Sequence, residues 1–232
     1  MPPAATGDRG PPDARLPPVI RAALFDFGGV ILSSPFQAFA DYEAQAGLPP
    51  GFLRSLNATD PDTNAWARLE RGEVGVEAFG PLFEAEARAQ GYEVAADAVL
   101  ALVAGEVRPE MVEAVRRCHR HLLTGLLTNN IGDTHGSPAT KLGEDLAHLD
   151  VVVESSQIGI RKPDPRFYHL ACERLGVTPA EAVFLDDLGV NLKPARAMGM
   201  TTIKVTDPGE ALEALEAVVG FPLRDGAHPG PT

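Results

Sequence analysis

The stretch Leu24-Phe25-Asp26-Phe27-Gly28-Gly29-Val30 places an aspartate at the end of an apolar run and follows it with two glycines. The run, Val19 to Phe25, has no polar alternation, so it reads as a strand buried on both faces with Asp26 at its carboxyl end. Taken alone, Asp26 has a plain explanation, because Asp and Gly are common turn formers. Four further apolar runs follow: Leu122 to Leu127, Leu149 to Val153, Ala182 to Leu185 and Thr201 to Val205. Helical patterns fall between the later runs. Pro109 to His119 carries Met111, Val112 and Val115 on one face, and Pro165 to Leu175 carries Phe167, Leu170, Ala171 and Leu175 before a stop at Gly176. Strands alternating with helices predict an α/β fold with a doubly wound parallel sheet, whose ligands bind beyond the carboxyl ends of the strands.

Three more segments end apolar runs or flank them with unusual polar residues. Leu126-Leu127-Thr128-Asn129-Asn130 brings out a hydroxyl and an amide, groups that can hold phosphate oxygens and that equally make a good turn. Gly159-Ile160-Arg161-Lys162-Pro163-Asp164-Pro165 sets Lys162 in a backbone restricted by two prolines, which can direct an ammonium that would otherwise be a solvated surface charge. Val183-Phe184-Leu185-Asp186-Asp187-Leu188-Gly189-Val190-Asn191 ends a strand in two adjacent carboxylates. A helix cap accounts for one of them, whereas two repel each other unless a cation or donors compensate.

In this order and on these strand ends, the four segments resemble the haloacid dehalogenase superfamily, a Rossmann-like core. The likeness is greatest to members with a helical cap inserted after the first strand, and among them to the phosphatase domain that precedes the hydrolase domain in bifunctional epoxide hydrolases. Glu154 to Pro165 and Phe184 to Gly199 carry much of that likeness. The resemblance implies that Asp26 is a nucleophile forming an aspartyl-phosphate, a weak nucleophile that needs a cation to approach a phosphoryl group. It also implies a magnesium site made by Asp26, the backbone carbonyl of Gly28 and Asp187, with Asp186 and Asn191 orienting those ligands. Lys162 would offset the negative charge, and Thr128, Asn129 and Lys162 would hold the transferring group.

Outward from the motifs, residues 19–35 and 109–220 are expected to form the catalytic core, and 36–108, which lacks strand-like runs, an inserted helical cap placed to act as a lid. Trp66, Phe79, Phe83 and Tyr92 would line a substrate pocket or form the cap's own core. The proline-rich residues 1–18 and the segment 221–232 read as a flexible leader and tail. The chain has 232 residues and a formal net charge of -12, which argues against nucleic acid or an anionic membrane as partner. Its two cysteines, Cys118 and Cys172, are too few for a disulfide framework. No run is long and apolar enough to span a bilayer and none reads as a signal peptide, so a cytoplasmic location is expected.

One position departs from the family pattern. Most phosphatases of the family carry a second aspartate two residues after the nucleophile, and here that position is Gly28. General acid or base help is worth about 10²–10⁴ in rate, so its absence favours a small phosphorylated substrate with a good leaving group, such as an acyl, anomeric or aryl phosphate. Asp60, Asp62, Arg68 or His135 are candidates to replace the missing acid. The alternatives are carbon–halogen hydrolysis, in which halide leaves without a proton, and a phosphate-binding or interaction domain without turnover.

Overall fold

The computed structural model describes residues 19–132 and 137–224. Five short strands, β1 (Ala22–Phe25), β2 (Leu123–Thr128), β3 (Val151–Glu154), β4 (Ala182–Asp186) and β5 (Thr201–Lys204), form one sheet in the order β3-β2-β1-β4-β5. Every pairing is parallel. The three central strands read as apolar because both their faces are covered. Residues Ala23 and Phe25 of β1 face one hydrophobic core, and Ala22 and Leu24 face the other. The edge strands are wetter than the sequence suggests, since β3 and β5 each have neighbours on one side only. Val19 is likewise outside the sheet and 78% exposed, so β1 is shorter than its apolar run.

The chain moves from β1 through β2 to β3 on one side, then crosses to place β4 on the other side of β1. The reversal lies between β1 and β4, where doubly wound sheets open their ligand crevice. Helices α6 (Pro109–His119) and α11 (Pro208–Val219) cover one face, while α9 (Pro165–Leu175) and α10 (Gly189–Ala197) cover the other; the short α7 (Pro138–Leu142) and α8 (Ser155–Ile158) precede and follow β3. The sequence-predicted ends of α6 and α9 agree with the structure, and Gly176 closes α9 with φ 65°.

Between β1 and α6 lies an all-helical layer: α1 (Phe36–Ala46), α2 (Phe52–Ala58), α3 (Ala65–Glu70), α4 (Val76–Ala89) and α5 (Ala96–Leu102). It has its own apolar core, in which Phe79 and Phe83 are fully buried and stack at 5.1 Å, with Trp66 edge-on to Phe79. Tyr92 packs on Phe52 at 4.8 Å. Phe79, Phe83 and Trp66 thus serve the cap's interior, whereas Tyr92 is 37% exposed. The two chain crossings are zipped together by Ser33 N–H to Glu106 O, Arg108 N–H to Ile31 O and a bridge between Leu32 and Val107.

The expected tail needs a correction over residues 221–224, which are packed against the core. Phe221 packs on the core and on His121, Leu223 is 1% exposed, and Arg224 pairs with Glu213 and Glu216. The leader and residues 225–232 lie outside the described residues.

Candidate active site

Asp26 continues β1 by one residue, its N–H bonded to Leu185 O of β4, so its backbone is fixed by the sheet itself. The chain then makes one wide turn, closed by Leu32 N–H to Phe27 O. Within it Gly28 has ordinary extended angles, φ -69° and ψ 130°, while Gly29 has φ 78°, a left-handed conformation suited to glycine. A Cβ at Gly28 would meet nothing within 4 Å. A Cβ at Gly29 would collide with the Asp187 carboxylate, so the second glycine lets that side chain approach the turn.

Lys162 is the hub. It is 1% exposed, and its Nζ lies 2.7 Å from Asp26 Oδ1 and 2.8 Å from Asp186 Oδ2. Asp186 is fully buried and saturated: Oδ1 accepts from Leu188 N–H and Asn191 Nδ2, and Oδ2 from Lys162 and Asn191 Nδ2. Its acceptor capacity is therefore used within the protein, which makes it a support for its neighbours. Asp187 is different. Its contact with a side chain is a long one, 3.5 Å from Ser34 Oγ, which leaves oxygens available to a ligand. Among the described residues, the donors that reach the Asp26 carboxylate, Phe27 N–H at 2.6 Å and Lys162 Nζ, fall on Oδ1.

One carboxylate oxygen each from Asp26, Asp186 and Asp187 lies within 4.8 Å of the others. Three carboxylates face one ammonium, so the cluster carries excess negative charge out of water. Burial pushes the Asp26 carboxyl well above its ordinary range; Lys162 opposes that shift, and Asp186 and Asp187 reinforce it. Burial, with Asp186 beside it, pushes Asp187 up to about 6. Burial alone would lower Lys162, but Asp186 and Asp26 outweigh it and hold the amine above its usual value. Hard oxygen donors, a buried charge excess and free lone pairs on Asp26 and Asp187 fit a small divalent cation.

Thr128 ends β2 at the same edge and is buried. Asn129 has a side chain already engaged within the protein. Its Oδ1 accepts from Lys162 N–H at 2.9 Å, and its Nδ2 donates to Lys162 O at 3.0 Å and to Glu70 Oε2 at 3.3 Å. Both amide hydrogens are occupied, so the side chain has no donor left for a phosphoryl oxygen and instead grips the peptide of Lys162. Among the candidate acids, Asp62 is exposed, Asp60 is exposed with φ 46°, and Arg68 lies 3.8 Å from Glu73. His135 lies outside the described residues. The sequence reading gave no role to Glu70, Ser34 or Gly29. Their only trace there was a helical spacing, a polar pair before a helix and a diglycine.

A family model described as haloacid dehalogenase-like hydrolase matches residues 20–199. The chain is 38% identical to mouse (Mus musculus) acyl-CoA dehydrogenase family member 10 over 89% of its own length and 20% of that protein's. It is 34% identical to pig (Sus scrofa) bifunctional epoxide hydrolase 2 over 88% of its length and 40% of that protein's. It therefore spans a fifth to two fifths of those relatives. Phosphatase MT3486 of Mycobacterium tuberculosis is matched nearly end to end, at 31% identity over 90% of this chain and 99% of the other. A Bacteroides thetaiotaomicron enzyme of the family, solved with magnesium and inorganic phosphate, shares the fold with a TM-score of 0.56 at 18% identity, covering 81% of this chain and 96% of the other.

Proposed function

The chain belongs to the haloacid dehalogenase-like hydrolases, and from that premise we propose that it is a magnesium-dependent phosphatase of small phosphorylated substrates, acting through Asp26. The observation that carries this reading is the bridge of buried Lys162 between Asp26 and Asp186, with Asp187 beside them. Phosphatase MT3486, related along nearly its whole length, supports the choice of phosphate over halide.

Asp26, Asp187 and the Gly28 carbonyl would hold magnesium, which when bound supplies positive charge to the phosphoryl oxygens and to the approaching carboxylate. Asp26 attacks phosphorus, and the bond from phosphorus to the leaving oxygen breaks, that oxygen keeping the electron pair. Water then attacks phosphorus, the bond to Asp26 breaks, and inorganic phosphate leaves with the free carboxylate restored. Lys162 holds Asp26 through Oδ1, which leaves Oδ2 without a protein donor among the described residues. Thr128, at the end of β2, would hold a phosphoryl oxygen. Asp186 and Asn191 keep Lys162 in place through the buried bonds described above.

The open space at Gly28 bears on the substrate. No side chain stands there to protonate a departing alkoxide, so the suited substrates carry leaving groups that are stable as anions, acyl or aryl phosphates among them. The test is a phosphate-release screen over acyl, sugar, aryl and lipid phosphates, with and without magnesium, using Asp26→Asn as the blank. Magnesium-dependent release from acyl or aryl phosphates, absent in Asp26→Asn, is the expected result. Release that persists in Asp26→Asn, or halide release without metal, would replace this reading.

A further inference from the structure

One of the contacts between cap and core is made by a carboxylate that a phosphatase reading does not require. Glu70 ends α3, and its carboxylate collects donors from three places: Trp66 Nε1 of its own helix at 3.0 Å, Asn129 Nδ2 at 3.3 Å, and Arg161 Nη1. Both members of the Glu70–Arg161 pair are largely buried. Arg161 also donates to Pro61 O of the cap at 2.8 Å, and Ser155 Oγ donates to Glu70 O at 2.5 Å. Gly72, with φ 68°, brings the end of the same segment so close to Ser156 O that a Cβ would overlap it.

Buried ion pairs contribute little net stability, because desolvation offsets attraction; their best-attested use is to fix register. Here the register matters, because the two core partners of Glu70 adjoin the hub. Asn129 holds both the N–H and the C=O of Lys162, and Arg161 is the preceding residue. We propose that Glu70 is a positioning residue for Lys162. It clasps the cap to the Asn129 and Arg161 loops so that the ammonium spans Asp26 and Asp186 while the cap is seated. The kinetic part of this inference rests on the phosphatase reading. The clasp itself does not.

Two backbone amides report on the clasp: that of Lys162, held by Asn129 Oδ1, and that of Asn130, held by Ser155 Oγ at 3.0 Å. In the full chain, Glu70→Ala is expected to speed hydrogen exchange at both amides by about tenfold, and Glu70→Gln, which keeps an acceptor, by about threefold. With acetyl phosphate and magnesium, Glu70→Ala is expected to lower kcat about tenfold with KM changed less than about threefold, and Glu70→Gln to recover part of the loss. Should Glu70→Ala fail to fold, Glu70→Gln carries both readouts. Wild-type exchange at both amides and unchanged kcat, with only a lower melting temperature, would overturn the proposal. A wild type without turnover on any phosphate would sink the phosphatase reading, while the exchange rates would still decide for or against the clasp.

Discussion

Adjacent glycines in the turn after Asp26 have opposite requirements, and that contrast gives the most direct residue-scale tests. Gly28 has angles that any residue adopts and open space around a Cβ, so nothing steric forbids a side chain there. Gly28→Asp should therefore fold and should raise hydrolysis of alkyl phosphates more than of aryl or acyl phosphates, by up to the roughly 10²–10⁴ that a general acid supplies. Equal gains on all three classes, measured as kcat/KM, would remove leaving-group protonation as the explanation. Gly29 is held at positive φ against Asp187. Gly29→Ala should displace that carboxylate and weaken magnesium binding at least about tenfold by titration calorimetry, since a non-Gly residue there adds strain of order 1–3 kcal/mol to the overlap. Gly28→Ala should leave magnesium affinity near the wild-type value.

At the scale of elements, the last helix is secured by a contact outside the motifs. Glu216 of α11 accepts from Leu223 N–H at 2.7 Å and pairs with Arg224 at 2.7 Å, which draws Leu223 into the core. The side-chain hydrogen bond from Arg224 holds the Glu216 carboxyl below its ordinary value. A carboxyl depressed in the folded state contributes stability that is present above its unfolded pKa and lost as pH falls through the folded one. Glu216→Gln should therefore lower the melting temperature at neutral pH, by a few degrees for a loss of about 1 kcal/mol. The difference from wild type should shrink as pH falls below the ordinary glutamate range. A difference that stays constant across that range would assign the effect to packing alone. The apolar run of Phe221 and Leu223 is short and bracketed by proline and glycine, which is why composition suggested a tail.

For the whole molecule, the catalytic half was more legible than the cap. Asp26, Asp186 and Asp187 sit at the ends of β1 and β4, where apolar runs stop abruptly in charge and a parallel sheet brings such ends to one edge, whereas Lys162 reaches them from the loop before α9. The cap's contribution was hidden because Glu70 belongs to a helix whose pattern reports only its own packing. That the Asn129 side chain holds Lys162 was hidden because it depends on two loops meeting across 33 residues. The excess charge at the site also ties metal to global stability. Saturating magnesium should raise the melting temperature by several degrees, and Asp187→Asn should abolish the rise; an unchanged melting temperature in wild type would count against a cation at this cluster. The central claim, that the Asp26 carboxylate bonds to phosphorus, is tested most directly by trapping. After brief reaction with acetyl phosphate and magnesium, acid quenching and peptide mass spectrometry should locate a phosphoryl group on Asp26, absent when magnesium is chelated. Brisk phosphate release by a protein whose Asp26 peptide stays unmodified, and whose Asp26→Asn variant still turns over, would contradict it.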